Sequence, residues 1–166
     1  MLLFLSCCGL LLTACCRSSS AQVGRADTPV ARVDSVSRLT LLIAGDLMQH
    51  MPQVNAARQA DGTFSYDEVF RYVAPEVSRH DLAIVNLEVT LGGRPYTGYP
   101  CFSAPDAFLE AAADAGFDIF TTANNHCLDR SRRGLERTLD VLDSLHLMHL
   151  GTYRDSTERA EHYPFI

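Results

Sequence analysis

Polar side chains that could bind metal or transfer a proton follow three apolar runs of the chain. Asp46 ends the first run and Asn86-Leu87-Glu88 the second; Asn124-Asn125-His126, with Asp129 close behind, ends the third. Carboxylate, amide and imidazole groups bind Mg²⁺, Mn²⁺, Fe or Zn²⁺ without help from thiolates. A bridging carboxylate beside an imidazole suits two-metal hydrolysis, in which a histidine protonates the leaving group. An Asp or Asn at a strand end is commonly a turn residue, but three such clusters together favour a functional site.

The surrounding pattern predicts the elements that would bring these clusters together. Short apolar runs at 39–44, 82–85, 117–122 and 147–150 predict four strands, the first of them buried on both faces. Helical spacing lies between them over 66–77, with a break expected at Pro75, then from Pro105 to Gly116 and from Ser131 onward. This alternation implies an α/β fold with a parallel sheet, whose strands present their carboxyl ends, and hence the polar clusters, at one edge.

Composition narrows the class of protein. The 166 residues suffice for one domain, and 47% hydrophobic with 20% charged residues is typical of a globular chain. A net charge of −6 gives no basic footprint, so no nucleic-acid partner is expected. All 14 basic residues are Arg, which excludes a lysine nucleophile or Schiff base. Cys101 and Cys127 could pair, but no CxxC motif supports a thiolate zinc site.

The N-terminus predicts export and membrane attachment. An apolar run of 13 residues at 2–14 is shorter than the roughly 20 that span a bilayer and fits a secretory signal, although no Arg or Lys precedes it. Leu12-Thr13-Ala14-Cys15 resembles a bacterial lipobox. We therefore expect a lipoprotein signal at 1–15, lipidation of Cys15, a Ser-rich tether at 16–37, and an anchored protein on the periplasmic or extracellular face of the envelope. The alternative is an ordinary signal peptide or a buried apolar N-terminus.

Five segments between about residues 39 and 151 resemble the CapA family, the poly-γ-glutamate capsule synthesis proteins with a calcineurin-like metallophosphatase fold. They occur in family order: Ile43-Ala44-Gly45-Asp46-Leu47-Met48, Ala83-Ile84-Val85-Asn86-Leu87-Glu88, Tyr99-Pro100-Cys101-Phe102-Ser103-Ala104-Pro105, Ala115-Gly116-Phe117-Asp118, and Ala123-Asn124-Asn125-His126-Cys127-Leu128-Asp129. The resemblance implies that residues 38–166 form the N-terminal part of a metallophosphatase-type α/β sandwich that is incomplete in this chain.

The resemblance also implies roles for the polar residues. Asp46 matches the first metal-binding aspartate, Glu88 the acid that bridges the metals, and Asn125 the amide ligand. His126 matches the histidine beside the leaving group, and Asp129 the acid that orients it. Asn86 and Asn124 are expected to bind metal or substrate or to support the ligands. The implied cofactor is a divalent ion, two of them in a complete site, and the implied substrate is an anionic polymer or a phosphoester.

The chain departs from the family pattern at two places. Metallophosphatases place a histidine two residues after the first aspartate, where this chain has Met48; His50 is a candidate substitute. The later Gly-His-x-His motif is absent, and His146 and His149 do not replace it. Three functions therefore remain open: a metal-dependent hydrolase, a non-catalytic envelope protein that assists assembly or export of an acidic polymer, or an inactive fragment.

Two further features have alternative interpretations. Cys127 lies beside His126 but is expected to be a small buried side chain rather than a nucleophile. Arg130, Arg132 and Arg133 could bind an anion, or could simply begin an exposed helix.

Overall fold

A computed structural model of the protein describes residues 36–161. The predicted signal, the lipidation site Cys15 and nearly all of the tether lie outside these residues. Within the described range, no helix is long and apolar enough to cross a bilayer.

In the described part of the chain, four parallel strands form one sheet. They are β1 (Leu41–Leu47), β2 (Leu82–Leu87), β3 (Ile119–Thr121) and β4 (Met148–Leu150), and they lie side by side in the order β1-β2-β3-β4. The helices between and after them are α1 (Met51–Ala57), α2 (Asp67–Phe70), α3 (Ala74–Val77), α4 (Asp106–Asp114), α5 (Ser131–Ser144) and α6 (Ser156–Glu161). The α/β class and the alternation of strands and helices are confirmed.

The core fills one face of the sheet. On β2, Ala83, Val85 and Leu87 are buried and the residues between them are half-buried, which is the period-two alternation of a strand. Large apolar side chains from the helices and the loop after β2 complete this core, among them Phe102, Phe108, Leu109, Leu139 and Leu142. Burying side chains of this size is worth about 1.5–3 kcal/mol each, so this layer fixes the sheet that carries the polar clusters.

β1 differs from the expectation in its burial and its length. The prediction that it is buried on both faces is wrong, because β1 is at the edge of the sheet formed by residues 36–161, where it pairs with β2 alone, and Ile43 is 75% exposed. It also extends to Leu47, with a shift of register between Ile43 and Asp46. The extra residue is a β-bulge, a feature that re-aims side chains near functional sites, and here it brings Asp46 opposite Asn86.

The helices follow the prediction with local changes. The pattern over 66–77 is divided into α2 and α3, with Pro75 in the first turn of α3, as the break at this proline implied. Pro105 immediately precedes α4 instead of forming its first residue. Two short helices, α1 and α6, were not predicted.

Candidate functional site

The carboxyl ends of β1 and β2 hold two carboxylates against one amide. Asn86 Nδ2 donates to Asp46 Oδ1 at 2.9 Å and to Glu88 Oε2 at 2.8 Å. The bulge in β1 makes this arrangement possible, since it pairs Asp46 with Asn86 across the strands. Asp46 is exposed and Glu88 half-buried, so the pair is open to a ligand on the solvent side.

The two carboxyl groups differ in acidity. Hydrogen bonds from Asn86, and then from Glu88, lower the pKa of Asp46 below its ordinary value. Loss of solvation raises the pKa of Glu88, and the neighbouring Asp46 raises it further. Asp46 therefore keeps its charge more firmly than Glu88. Two carboxylates forced this close repel each other, and a divalent cation between them would relieve that repulsion.

Asn124 holds the site together from behind. Its Nδ2 donates to Asn86 Oδ1 at 3.1 Å and to the Leu87 carbonyl at 2.8 Å, while its Oδ1 accepts from the His126 backbone N–H at 3.0 Å. The side chain thus connects the carboxylate pair to the turn that carries His126. Of the alternatives left open for Asn124, the structure favours a supporting role, because both ends of its amide are already hydrogen bonded.

Asn125 has the opposite environment. Its side chain is exposed and makes no hydrogen bond with any residue in the range 36–161. Of the two amides, it is the one whose side chain is not used in a hydrogen bond within these residues, and its role as a metal ligand stays a prediction.

His126 is oriented by Asp129. One carboxylate oxygen of Asp129, Oδ2, lies 2.8 Å from His126 Nδ1 and accepts the Phe102 backbone N–H at 2.7 Å. The two side chains are 16% and 11% exposed. With Nδ1 bound to the carboxylate, Nε2 is the nitrogen left to act on a substrate. The geometry is that of an acid orienting an imidazole, which is the role predicted for Asp129.

Phe102 is the functional neighbour that the sequence did not single out. Its buried ring meets His126 edge to face at 4.7 Å between centroids and His50 at 5.1 Å. His50 is the N-cap residue just before α1, and its imidazole lies on the same Phe102 ring that His126 contacts. The only signal for Phe102 was its place in the Tyr99–Pro105 family segment.

The other side chains that could bind a metal have different environments. Met48 is at the position where metallophosphatases have a histidine ligand. It is half-buried and packs against the core, so it does not act as a ligand in place of that histidine. His149 is buried and hydrogen bonds to Asp143 at 2.9 Å, and His146 is exposed at the end of α5. Cys101 and Cys127 are both free thiols. Among residues 36–161, no three His, Cys, Asp or Glu side chains gather closely enough to hold an ion.

The oxygen ligands at this sheet edge suit one hard cation that keeps part of its water shell. They are too few to enclose an ion with protein ligands alone. Mg²⁺ and similar ions are commonly held by one or two carboxylates, with water and substrate oxygens completing the shell. Asp46 and Glu88 supply two such carboxylates, and the exposed Asn125 amide is in the turn that follows the neighbouring strand β3. The two-ion site implied by the resemblance stays a prediction.

Comparison with known proteins adds two findings. Residues 40–165 match the family model described as "Bacterial capsule synthesis protein PGA_cap". The capsule biosynthesis protein CapA of Bacillus anthracis is 25% identical over 122 residues, which cover 69% of this chain and 28% of CapA. The chain therefore spans less than a third of the length of this relative.

Proposed function

Since the chain belongs to the family of bacterial capsule synthesis proteins, we propose that it acts at the cell envelope in making an acidic capsule polymer. In this proposal it is a CapA-like lipoprotein, anchored through Cys15, with a metal-dependent phosphoesterase-type site. One observation carries the catalytic part: the Asn86 amide holds Asp46 and Glu88 at the sheet edge from which Asn124 also positions His126.

Each side chain has a task that its contacts support. Asp46 and Glu88, with the amide oxygen of Asn125, would hold a Mg²⁺- or Mn²⁺-like ion. When bound, such an ion polarises a phosphoryl or carbonyl oxygen and makes bound water more acidic. His126 donates a proton from Nε2 to the leaving group. Asp129 accepts a hydrogen bond from the other ring nitrogen, Nδ1, and so holds the imidazole in place and stabilises its charged form.

A second candidate is a non-catalytic role in assembling or exporting the polymer. It is favoured by Met48, which occupies the position of a histidine ligand in metallophosphatases and packs against the core. In this case the Asp46–Glu88 pair would serve only to bind a cation or stabilise the sheet edge. A third candidate is that this polypeptide, which spans 28% of CapA, is inactive alone.

An activity screen separates these candidates. The full chain is incubated with a chromogenic phosphoester or with poly-γ-glutamate, each with and without Mn²⁺, beside the His126→Ala variant. If the protein is a hydrolase, we expect Mn²⁺-dependent turnover that falls about 10²–10⁴-fold in the His126→Ala variant. His80→Ala is the matched control, because His80 lies before β2 and hydrogen bonds to the Glu76 carbonyl. Turnover that survives in His126→Ala, or is absent from the wild type, would contradict the catalytic proposal.

The same variant tests the non-catalytic role in cells. A His126→Ala strain with a normal capsule would favour assembly or export. For the anchor, Cys15→Ser should move the protein from the membrane to the soluble fraction, and unchanged partitioning would rule out the lipid.

A further inference from the structure

Arginines within residues 36–161 fall into two groups. Five of them, such as Arg71 and Arg79 on the α2–α3 segment, pair with nearby carboxylates at 2.5–2.8 Å or closer. The other six form no ion pair with any described residue; they are Arg38, Arg58, Arg94, Arg130, Arg133 and Arg159. Among these six, Arg58 and Arg94 contact aromatic rings and Arg130 hydrogen bonds to a backbone carbonyl. These three lie around the loop that follows β2, and each is held by something other than an acid.

Aromatic rings hold two of the three. The Arg58 guanidinium carbon lies 5.2 Å from the centre of the Phe64 ring, and that of Arg94 lies 5.8 Å from the same ring. Arg94 also lies 5.1 Å from the ring of Tyr96, which meets Phe64 edge to face. Cation–π contacts of this kind orient a guanidinium while leaving its N–H donors free.

The third arginine is fixed by its stem. A Cβ atom at Gly92 would lie 2.6 Å from Arg130 Cγ, and one at Gly134 would lie 2.2 Å from Arg130 Cβ, so both glycines are needed to admit this side chain. The guanidinium Nη1 then donates to the Pro95 carbonyl at 3.2 Å. This hydrogen bond holds Arg130 beside Pro95, the residue that follows Arg94.

Arg58, Phe64, Arg94, Tyr96 and Arg130 thus form a connected surface, called here the arginine track. One end of the track adjoins the candidate site, because Arg130 directly follows Asp129, whose carboxylate binds His126. Asp61 is on the turn between Arg58 and Phe64, but its carboxylate accepts from Thr63 N and Oγ1.

We propose that the arginine track binds a flexible chain bearing carboxylates and leads it toward His126. The inference rests on the proposed role in acidic polymer synthesis and adds the surface that would recognise the polymer. Guanidinium groups bind carboxylates through paired N–H donors. Because the track arginines are already oriented and have no acid to give up, a ligand carboxylate breaks no existing ion pair. The paired arginines would each have to release a carboxylate first.

Polymer binding by the full chain, kept in mild detergent and metal-free buffer, tests the track. The probe is fluorescently labelled poly-L-glutamate, with anisotropy as the readout. We expect binding that weakens as NaCl is added, because exposed charges are screened. Changing Arg58→Ala together with Arg94→Ala should weaken binding about tenfold, the effect of losing two exposed charge pairs.

The matched control is Arg71→Ala together with Arg79→Ala, which changes the net charge equally. We expect it to bind within about twofold of the wild type, since these two arginines are neutralised by Glu68 and Glu76. The double change Arg58→Gln and Arg94→Gln, which keeps longer side chains, replaces the alanine variant if circular dichroism shows that one unfolded.

Three results would overturn the inference: no binding by the wild type, equal losses in the track and control variants, or polyphosphate binding at least as tight as polyglutamate. The last would assign the track to a phosphate-bearing chain. The binding assay needs neither metal nor turnover, so it is independent of the activity screen. If the protein binds the polymer through the arginine track but shows no hydrolase activity, the catalytic proposal fails and the track proposal stands.

Discussion

Two neighbouring amides in the turn after β3, Asn124 and Asn125, should differ in what they lose on mutation. Asn124 uses both ends of its side chain to hold Asn86, the Leu87 carbonyl and the His126 backbone. Asn125 is exposed and has no hydrogen-bond partner among the described residues. We predict that Asn124→Ala mainly destabilises the fold and Asn125→Ala mainly weakens ion binding.

The magnitudes follow from the hydrogen bonds. Asn124 makes three, all partly buried, at 2.8–3.1 Å. At about 1 kcal/mol each, Asn124→Ala should lower the free energy of unfolding by about 2–3 kcal/mol. Asn125→Ala removes an exposed side chain with no hydrogen bond to the described residues and should change it by less than about 0.5 kcal/mol. If Asn125 is a ligand, its removal should weaken Mn²⁺ binding about tenfold or more.

Two assays on the full chain measure these effects. Urea unfolding followed by circular dichroism gives the free energy of unfolding, and calorimetric titration with Mn²⁺ gives the affinity. Equal destabilisation by the two variants would refute the assignment of Asn124 as the support. Unchanged Mn²⁺ affinity in Asn125→Ala would refute the assignment of Asn125 as a ligand.

Three further changes test other parts of the account by urea unfolding. Asp129→Asn should cost about 2 kcal/mol, because a largely buried carboxylate that accepts from His126 and from the backbone loses its charge. Gly134→Ala should cost about 1–3 kcal/mol, although alanine favours helices, since the new methyl group would overlap the Arg130 stem. Burial raises the pKa of Tyr66 to about 12 from its ordinary 10.0, so its contribution is complete below pH 10.0 and is lost as the pH rises through about 12. Tyr66→Phe should abolish that alkaline loss, which approaches about 2–3 kcal/mol for a shift of this size.

Each of these changes has a control or a contradicting result. Gly45→Ala adds a methyl group with no atom within 4 Å and should be nearly neutral. Asp140→Asn removes an exposed carboxylate that pairs with Arg154 and should cost less than Asp129→Asn. A Tyr66→Phe protein that still loses the same stability at alkaline pH would show that another group is responsible.

Much of the sheet could be predicted from sequence, because short apolar runs between helical patterns are typical of parallel strands. The polar ends of β1, β2 and β3 meet at one edge for the same reason, so Asp46 and Glu88 could be placed together in advance. The edge position of β1 could not, since a continuous apolar run looks the same at the edge and in the centre of a sheet. The bulge before Asp46 also leaves no mark in an apolar run.

Finer details of the site depend on tertiary contacts. The sequence gives two adjacent amides, and which of them turns inward is decided by the Leu87 carbonyl and Asn86, some 37 residues away in the chain. Phe102 lies in a loop with no periodicity, so nothing local shows that its ring reaches two imidazoles. The short helix α1 was missed because its seven residues include a proline and have no long apolar stripe.

The most direct test of the central claim is a titration of the full chain with Mn²⁺, monitored by electron paramagnetic resonance. We predict one bound ion per chain, whose binding is lost in both Asp46→Asn and Glu88→Gln. Glu110→Gln, which removes an exposed charge on α4, should bind as the wild type does. Binding that persists unchanged in the Asp46 and Glu88 variants, or is absent from the wild type, would contradict the assignment of this sheet edge as a metal centre.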